Sequence, residues 1–234
     1  MTRMPGVEWV AHVETDPIRA LESFVTGWFP AERPEVGEGT SGADGLGDMP
    51  AALTALHRFA GARPALHEFH HPLWTRPERA SGPLGDRLVF ANENQAGWDW
   101  SVPWPPHATD KADPPVWLTF DPRLPDPETI VEEEPLSRFL LQFTLFGASG
   151  AAPYQAWTNV VPTERLAPLG DMLRPVPLSP FLPTFTAERF FVAPGLLAQI
   201  SSGEGEATVA FGALRRETLT PLREHPFPWR RFDG

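Results

Sequence analysis

The stretch "FANENQAGWDWSV" (residues 90–102) decides the fold, because four consecutive polar residues separate two runs of apolar and aromatic side chains. After the polar residues, Trp98, Trp100 and Val102 alternate with polar side chains, which is the two-residue period of a strand that buries one face. Before them, the short run Arg87–Ala91 is typical of a buried strand. Two strands joined by a short polar connection predict a β-hairpin.

Helical and strand periods recur along the rest of the chain. Apolar residues at helical spacing predict helices that begin at Pro17, after Met49 and at Leu136, and Asp16 is the expected N-cap of the first. Short apolar runs predict further strands, and a short helix follows them: residues 116–120, 190–193, 196–200 and 207–211, then 218–222. Helices that lead, strands that follow and helices that return indicate an α+β chain. We expect a single domain over residues 1–234, with a mostly antiparallel sheet of about six strands flanked by helices.

Two segments interrupt these elements. Residues 30–48 are rich in glycine, proline and acid, which predicts a flexible connection. They contain the spacing G-x-G-x-x-G, but a dinucleotide site needs a strand before it and a helix straight after it, and neither pattern is present. Residues 162–183 are predicted to form a proline-rich insertion, because proline cannot donate a backbone hydrogen bond and shortens regular elements.

Composition excludes several classes of function. None of the 234 residues is cysteine, which excludes disulfides, thiolate metal sites and cysteine nucleophiles. A net charge of −11 repels nucleic-acid phosphate and anionic lipid, and it favours a partner with a basic face. The first residues lack the apolar core of a signal peptide, and no apolar run reaches about 18 residues. We therefore expect a cytoplasmic protein that binds neither nucleic acid nor a membrane.

Several stretches follow one another in the order of a known family. "LGDMPAALTALHRFAGARP" looks like an entry motif in which a Pro-led helix ends in an aromatic residue and a Gly-containing stop. "LVFANENQAGWDWSV" is similar to a central hairpin with an E-N-Q turn, and "DPPVW" and "EEPLSRFLLQ" look like the next strand and the helix over the sheet. "RFFVAPGLLAQI" with "VAFGALRRETLTPL" is similar to a closing meander and helix. In this order they resemble the SUKH superfamily of bacterial immunity proteins, related to fungal SMI/KNR-type regulators of cell-wall synthesis.

The resemblance implies a SUKH-like fold and a non-enzymatic binding protein that neutralises a partner toxin, such as a basic nuclease, by covering its working surface. It matches Glu93, Asn94 and Gln95 to the E-N-Q turn and Trp100 to the aromatic residue after it, and implies no catalytic role for them. From the residues alone, a structural turn, a partner contact and a catalytic loop remain open. The alternative functions are an intracellular regulatory adaptor like the fungal regulators, and a carbohydrate- or metal-binding protein.

Acidic side chains suggest where a basic partner would bind. Complementary charge speeds the encounter of two proteins and sets specificity more than it adds affinity. A solvated edge without a partner is the other interpretation of such residues. The candidate partner-binding residues are Asp110, Asp113, Glu128, Glu132, Glu133, Glu134 and Trp104.

Histidines and tryptophans leave two further interpretations open. A zinc site, or a loop cluster that titrates near pH 6.5, is suggested by His57, His67, His70 and His71. A sugar or partner platform, or ordinary core packing, is suggested by Trp98, Trp100, Trp104 and Trp117. No H-E-x-x-H, G-x-S-x-G or P-loop pattern is present. We therefore expect no enzymatic activity, no catalytic residue, no bound metal and no cofactor.

Overall fold

The computed structural model describes residues 4–32, 49–105, 112–182 and 187–234. These residues form two compact units. The continuous unit is Phe29–Leu141, and the discontinuous unit combines Met1–Trp28 with Gln142–Gly234. That the two units form a single domain over residues 1–234 stays a prediction.

The continuous unit contains a five-stranded antiparallel sheet whose strands follow chain order. The strands are β1 Leu73–Gly82, β2 Gly85–Asn92, β3 Trp98–Pro103, β4 Pro115–Phe120 and β5 Thr129–Pro135. The predicted hairpin is confirmed as β2 and β3, which pair from Arg87 with Pro103 to Asn92 with Asp99. β1 and β5 form the two edges of this sheet.

Side chains of β3 alternate between the two faces of the sheet. Trp100 is fully buried, and its ring centroid lies 6.1 Å from that of Phe139. The ring of Phe90 on β2 also lies 6.1 Å from Phe139. Phe139 belongs to α3 (Leu136–Ala151), so the first turns of this helix cover the aromatic face. Asp99 points to the opposite face, as the alternating pattern predicts.

A second helix completes the continuous unit. α2 (Ala51–Ala62) buries its apolar residues at helical spacing, as predicted. It is followed by a 3₁₀ turn at Pro64–His67. Between them the buried side chain of Arg63 donates from Nε to the backbone oxygen of Phe29 at 3.0 Å. A hydrogen bond from a charged donor therefore ties the end of α2 to the chain segment that precedes it.

The discontinuous unit contains a seven-stranded antiparallel sheet. Its strands are β6 Tyr154–Thr158, β7 Val161–Pro162, β8 Arg174–Pro175, β9 Arg189–Ala193, β10 Leu196–Gly203, β11 Glu206–Ala213 and β12 Trp229–Phe232. The strand order is β12-β6-β11-β10-β9-β8, and β7 also pairs with β11. The predicted meander is confirmed as β9, β10 and β11. Its core includes Ile200 and Phe211, with Leu219 and Leu222 from the C-terminal helical segment.

Among the described residues, residues 142–151 of α3 belong to the discontinuous unit, together with two whole helices and three 3₁₀ turns. They are α1 Pro17–Trp28 and α4 Arg216–Leu219, with the turns at Glu8–His12, Thr163–Asp171 and Thr220–Glu224. The N–H of Arg19 donates to Asp16 Oδ1 at 3.1 Å, which confirms Asp16 as the N-cap of α1. The ring of Trp9 lies 5.2 Å from that of Phe24, so the first 3₁₀ turn packs against α1.

The α+β class is confirmed, and the strands are divided between two sheets where the sequence predicts one sheet of about six strands. The extra strands have compositions that obscure them. β1 contains Pro77, and β5 contains three consecutive glutamates. Proline and glutamate are both depleted in strands. Their local propensity is therefore against the strand conformation that pairing with neighbouring strands gives β1 and β5.

The predicted connection and insertion have different outcomes. Of residues 30–48, residues 33–48 lie outside the described part of the chain, and the G-x-G-x-x-G spacing lies among them. Within residues 162–183, a 3₁₀ turn and β8 are formed, and Leu169 and Leu173 are buried in the core of the discontinuous unit. This segment therefore contributes to the sheet and its core despite its prolines.

Gly212 on β11 is expected to tolerate no side chain. A Cβ atom there would lie 2.6 Å from the backbone oxygen of Ser149 and 2.9 Å from the Cβ of Ala152. We expect Gly212→Ala to lower the free energy of unfolding by about 1–3 kcal/mol, because overpacking forces backbone to move. Gly203→Ala on β10 is the matched control, since a Cβ there meets nothing within 4 Å. Equal unfolding free energies of the two variants in chemical denaturation would contradict the close approach.

Candidate interaction surface

The polar connection between β2 and β3 is a tight turn organised by Glu93. Its Oε2 accepts hydrogen bonds from the backbone N–H groups of Gln95 at 2.9 Å and Gly97 at 3.2 Å. Its own N–H donates to the backbone oxygen of Trp98 at 2.9 Å. Glu93 is buried, whereas Asn94 and Gln95 are exposed. Glu93 thus satisfies backbone donors of the turn, which is a structural role.

A second set of contacts joins this turn to β1. Trp74 donates from Nε1 to Asn92 Oδ1 at 2.5 Å, and Asn92 donates from Nδ2 to the backbone oxygen of Glu93 at 2.6 Å. The Nδ2 of Asn94 lies 3.5 Å from His70 Nδ1. The turn is therefore stabilised both from within and from the neighbouring strand.

Trp100, the aromatic residue after the turn, is paired with an acidic side chain. Its Nε1 donates to Glu132 Oε1 at 3.1 Å, and both residues are buried. Burial raises the pKa of the Glu132 carboxyl, and the hydrogen bond from Trp100 opposes that shift. Glu132 lies inside the unit, so it is not part of an exposed acidic surface.

Strand alternation divides the three consecutive glutamates of β5 between two environments. Glu132 and Glu134 are buried. Glu134 forms an ion pair with Arg138 of α3 at 2.8 Å. Glu133 lies between them in sequence and is exposed. Of these three glutamates, Glu133 is the one placed to meet another protein.

The remaining predicted partner-binding residues are dispersed. Asp113 accepts hydrogen bonds from the N–H and the Oγ of Ser137, both at 2.7 Å, and so holds the first turn of α3. Trp104 is 8% exposed and lies under the guanidinium of Arg79, 5.2 Å from its ring centroid. Trp104 and Arg79 line a surface depression of about 550 Å³. Asp110 lies outside the described residues.

An acidic surface remains along β5 and the connection before it. We call it the β5 edge; its residues are Asp121, Leu124, Asp126, Glu128, Val131 and Glu133, all exposed. Leu124 is 56% exposed and Val131 is 55% exposed. Residues 121–135 contain one basic residue, Arg123. Large apolar side chains rimmed by charge are typical of sites that contact another protein.

A buried polar network lies on the sheet face that also presents Val131. Arg87 makes a bidentate pair with Asp99, through Nη1 to Oδ1 and through Nη2 to Oδ2 at 3.2 Å. Arg87 Nη1 also donates to Thr119 Oγ1 at 3.0 Å. Thr119 Oγ1 lies 3.1 Å from Thr129 Oγ1 on β5. Burial raises the pKa of Asp99, and Arg87 opposes the shift. The network thus links the middle of the sheet to its edge strand.

The histidines of the predicted cluster form two pairs. The ring centroids of His57 and His67 are 6.3 Å apart, and those of His70 and His71 are 5.0 Å apart. Burial, followed by the neighbouring histidine, lowers the pKa of His57 and of His71 to about 4. Among residues 4–32, 49–105, 112–182 and 187–234, no group of three or more His, Asp or Glu side chains is arranged to hold a metal ion.

Three of the four tryptophans in the predicted platform are buried. Trp100 is fully buried, and Trp104 and Trp117 are less than one-tenth exposed. Trp98 is half-buried, and its ring centroid lies 6.2 Å from that of Trp100. The ring of His71 lies 5.6 Å from Trp100. These contacts favour core packing over a sugar platform, which needs an accessible ring face.

Sequence reasoning missed Arg87 and Val131. Arg87 is the first residue of an apolar run, and no residue close to it in the sequence indicates that Asp99 is its ion-pair partner. The available signal is that Asp99 lies on the polar face of the next strand. Val131 is hidden because the acidic run after it is also typical of the residues that precede a helix, here the predicted helix at Leu136. The available signal there is the apolar pair of Ile130 and Val131, which gives β5 its strand character.

Comparison of the chain with protein-family models, with curated proteins and with solved structures finds no match in any of the three. No helix in the described part of the chain is long and apolar enough to cross a membrane. Function is therefore inferred from the geometry of the described residues and from the resemblance of the motifs quoted above.

Removal of the Asp99 carboxylate is expected to destabilise the continuous unit strongly. Asp99→Ala leaves Arg87 as a buried cation without its carboxylate, which costs about 3–5 kcal/mol of unfolding free energy. The double variant Arg87→Leu with Asp99→Leu is expected to recover most of this loss, because it removes both charges. Denaturant titration of the three chains measures the difference. A single variant as stable as the original protein would show that the pair contributes nothing.

His57 is expected to make stability depend on pH. Its pKa is lowered from 6.5 to about 4 by burial, so between these values the unfolded chain binds a proton that the folded chain does not. The free energy of unfolding should therefore fall as pH is lowered from 6.5 to 4. His57→Gln should reduce this slope, as measured by denaturant titration at pH 7, 5.5 and 4.5. Asp99 and Glu132, whose pKa values are raised, are common to both proteins and cancel in the comparison. Identical slopes would contradict a buried neutral imidazole.

Proposed function

We propose that the protein is a non-enzymatic, immunity-type binding protein of the cytoplasm that neutralises a partner toxin with a basic surface, such as a nuclease. The β5 edge is the observation that supports this proposal most. It exposes Glu128 and Glu133 on the same stretch of chain as two large exposed apolar side chains, Leu124 and Val131. The motifs that resemble the SUKH superfamily support the same function.

The proposed mechanism is occlusion of the partner's working surface. A stable interface of about 1,600 Å² extends beyond the β5 edge itself, so these residues would form one part of it. Leu124 and Val131 supply apolar contact that excludes water. The exposed carboxylates and the net charge of −11 attract a basic domain and repel nucleic acid, which is not a partner in this proposal.

Contacts behind β5 favour a preorganised surface. Thr129 is linked through Thr119 to the buried pair on β2 and β3. Glu132 and Glu134 are held by Trp100 and Arg138. A strand fixed in this way loses little conformational freedom when a partner binds, so less of the contact energy is spent on ordering.

Charge reversal on the exposed acids tests the proposal. The variant with Glu128→Lys and Glu133→Lys changes two exposed side chains and leaves the buried glutamates intact. Affinity capture from lysate of the source cells, followed by mass spectrometry, identifies retained proteins. We expect the original protein to retain a basic effector domain, and co-expression of this protein to suppress the toxicity of that domain. The variant should bind the domain at least tenfold more weakly, because electrostatic repulsion replaces attraction.

The matched control is the variant with Glu22→Lys and Glu224→Lys, which makes the same change in net charge at exposed positions of the discontinuous unit. It is expected to retain the effector. Equal loss in both variants would show that net charge alone matters and that the β5 edge is not the site. Capture of cell-wall or signalling enzymes in place of a toxin would move the function to a regulatory adaptor.

A further inference from the structure

We propose that β5 is a docking strand whose free edge binds an extended, basic segment of the partner by backbone strand pairing. This inference rests on the proposed function for the identity of the partner and adds the mode of contact. Strand addition to a sheet edge supplies main-chain hydrogen bonds for affinity, and the alternate side chains supply specificity.

The ladder between β4 and β5 shows which backbone groups are free. The N–H of Phe120 donates to the backbone oxygen of Glu128 at 2.8 Å. In the same register Thr119 lies opposite Thr129 and Trp117 opposite Val131. Because hydrogen-bonded pairs alternate in an antiparallel ladder, the N–H and C=O groups of Thr129 and Val131 point away from β4. Among the described residues neither has another backbone partner.

The five edge strands in the described residues differ in how they are protected. β7, which pairs only with β11, is two residues long and contains Pro162. β1 contains Pro77 and an irregular register with β2. β8 is two residues long, and β12 is four residues long with an irregular register. β5 is seven residues long and has no proline between Thr129 and Glu134. Its register is irregular after Val131, which confines the open ladder to the segment Glu128–Val131. Proline and irregular pairing resist strand addition, and within this segment the ladder with β4 has neither.

The charge around this segment selects the occupant. Glu128 and Glu133 flank the open ladder and are exposed. A second copy of this chain would bring the same carboxylates against them, and like charges on adjacent strands are destabilising. A basic segment meets opposite charges instead. Exposed Val131 offers an apolar neighbour on one face, so an occupant that alternates apolar and basic residues fits both features.

A synthetic peptide tests the inference without knowledge of the natural partner. The probe is acetyl-Lys-Val-Lys-Val-Lys-amide, titrated into the full chain while backbone amide exchange is followed by NMR. We expect saturable binding and at least tenfold slower exchange at Thr129 and Val131. Val131→Pro removes the outward N–H without removing a bond to β4, and it should weaken binding at least tenfold. Val131→Thr keeps the N–H and the branched shape, so it should lose only the apolar contact of one methyl group and bind clearly more tightly than Val131→Pro.

A second measurement does not depend on the folding of a variant. The same peptide with every backbone nitrogen methylated keeps its charge and loses its donors, and it should not bind. Equal binding of the methylated peptide, equal binding by Val131→Pro, or no saturable binding up to millimolar peptide would overturn the inference. If the original protein forms a dimer and Val131→Pro abolishes it, the strand that pairs with β5 is a second copy of this chain, and the proposed basic segment is wrong.

The two proposals can fail separately. If Val131→Pro still captures a basic effector as the original protein does, neutralisation stands and strand pairing is wrong. If the peptide pairs with β5 and no toxin is captured from lysate, strand pairing stands and the proposed toxin-neutralising function is wrong.

Discussion

The alternation of side chains along a β-strand is the constraint on which the continuous unit depends. Because neighbouring residues point to opposite faces, Trp100 enters the aromatic layer under α3 while Asp99 enters the polar network. The same rule buries Glu132 and Glu134 and leaves Glu133 in solvent. A slip of one residue would exchange all these environments at once, so the register is specified by many side chains together.

Elements with a strong local period could be predicted from the sequence, and elements without one could not. The alternation of Trp98, Trp100 and Val102 is sufficient for β3, and Asp16 before Pro17 is sufficient for the start of α1. β1 and β5 form against their local propensity because neighbouring strands provide their ladder partners. The division into two sheets depends on pairing between distant segments, such as β6 with β12, which no local window contains.

The candidate surface shows the same limit at the level of single residues. The sequence alone does not show whether an acidic side chain will be paired with a donor or a cation of the same chain after folding. Asp113 and Glu134 are engaged by Ser137 and Arg138, and these contacts depend on where α3 begins relative to the strands. Glu128 and Glu133 have the same chemistry and remain exposed. Composition predicts an acidic surface, and packing decides which acids compose it.

The chain order of the first sheet bears on the sequence of events during synthesis. The continuous unit uses one uninterrupted stretch, Phe29–Leu141, and each of its strands pairs with the next along the chain. Such pairing closes short loops, which lowers the entropic barrier to folding. The discontinuous unit combines Met1–Trp28 with Gln142–Gly234, and its edge strand β12 comes after every strand of the first sheet in chain order. A nascent chain can therefore complete every strand pair of the first sheet, including β4 with β5, before the second sheet has all its strands.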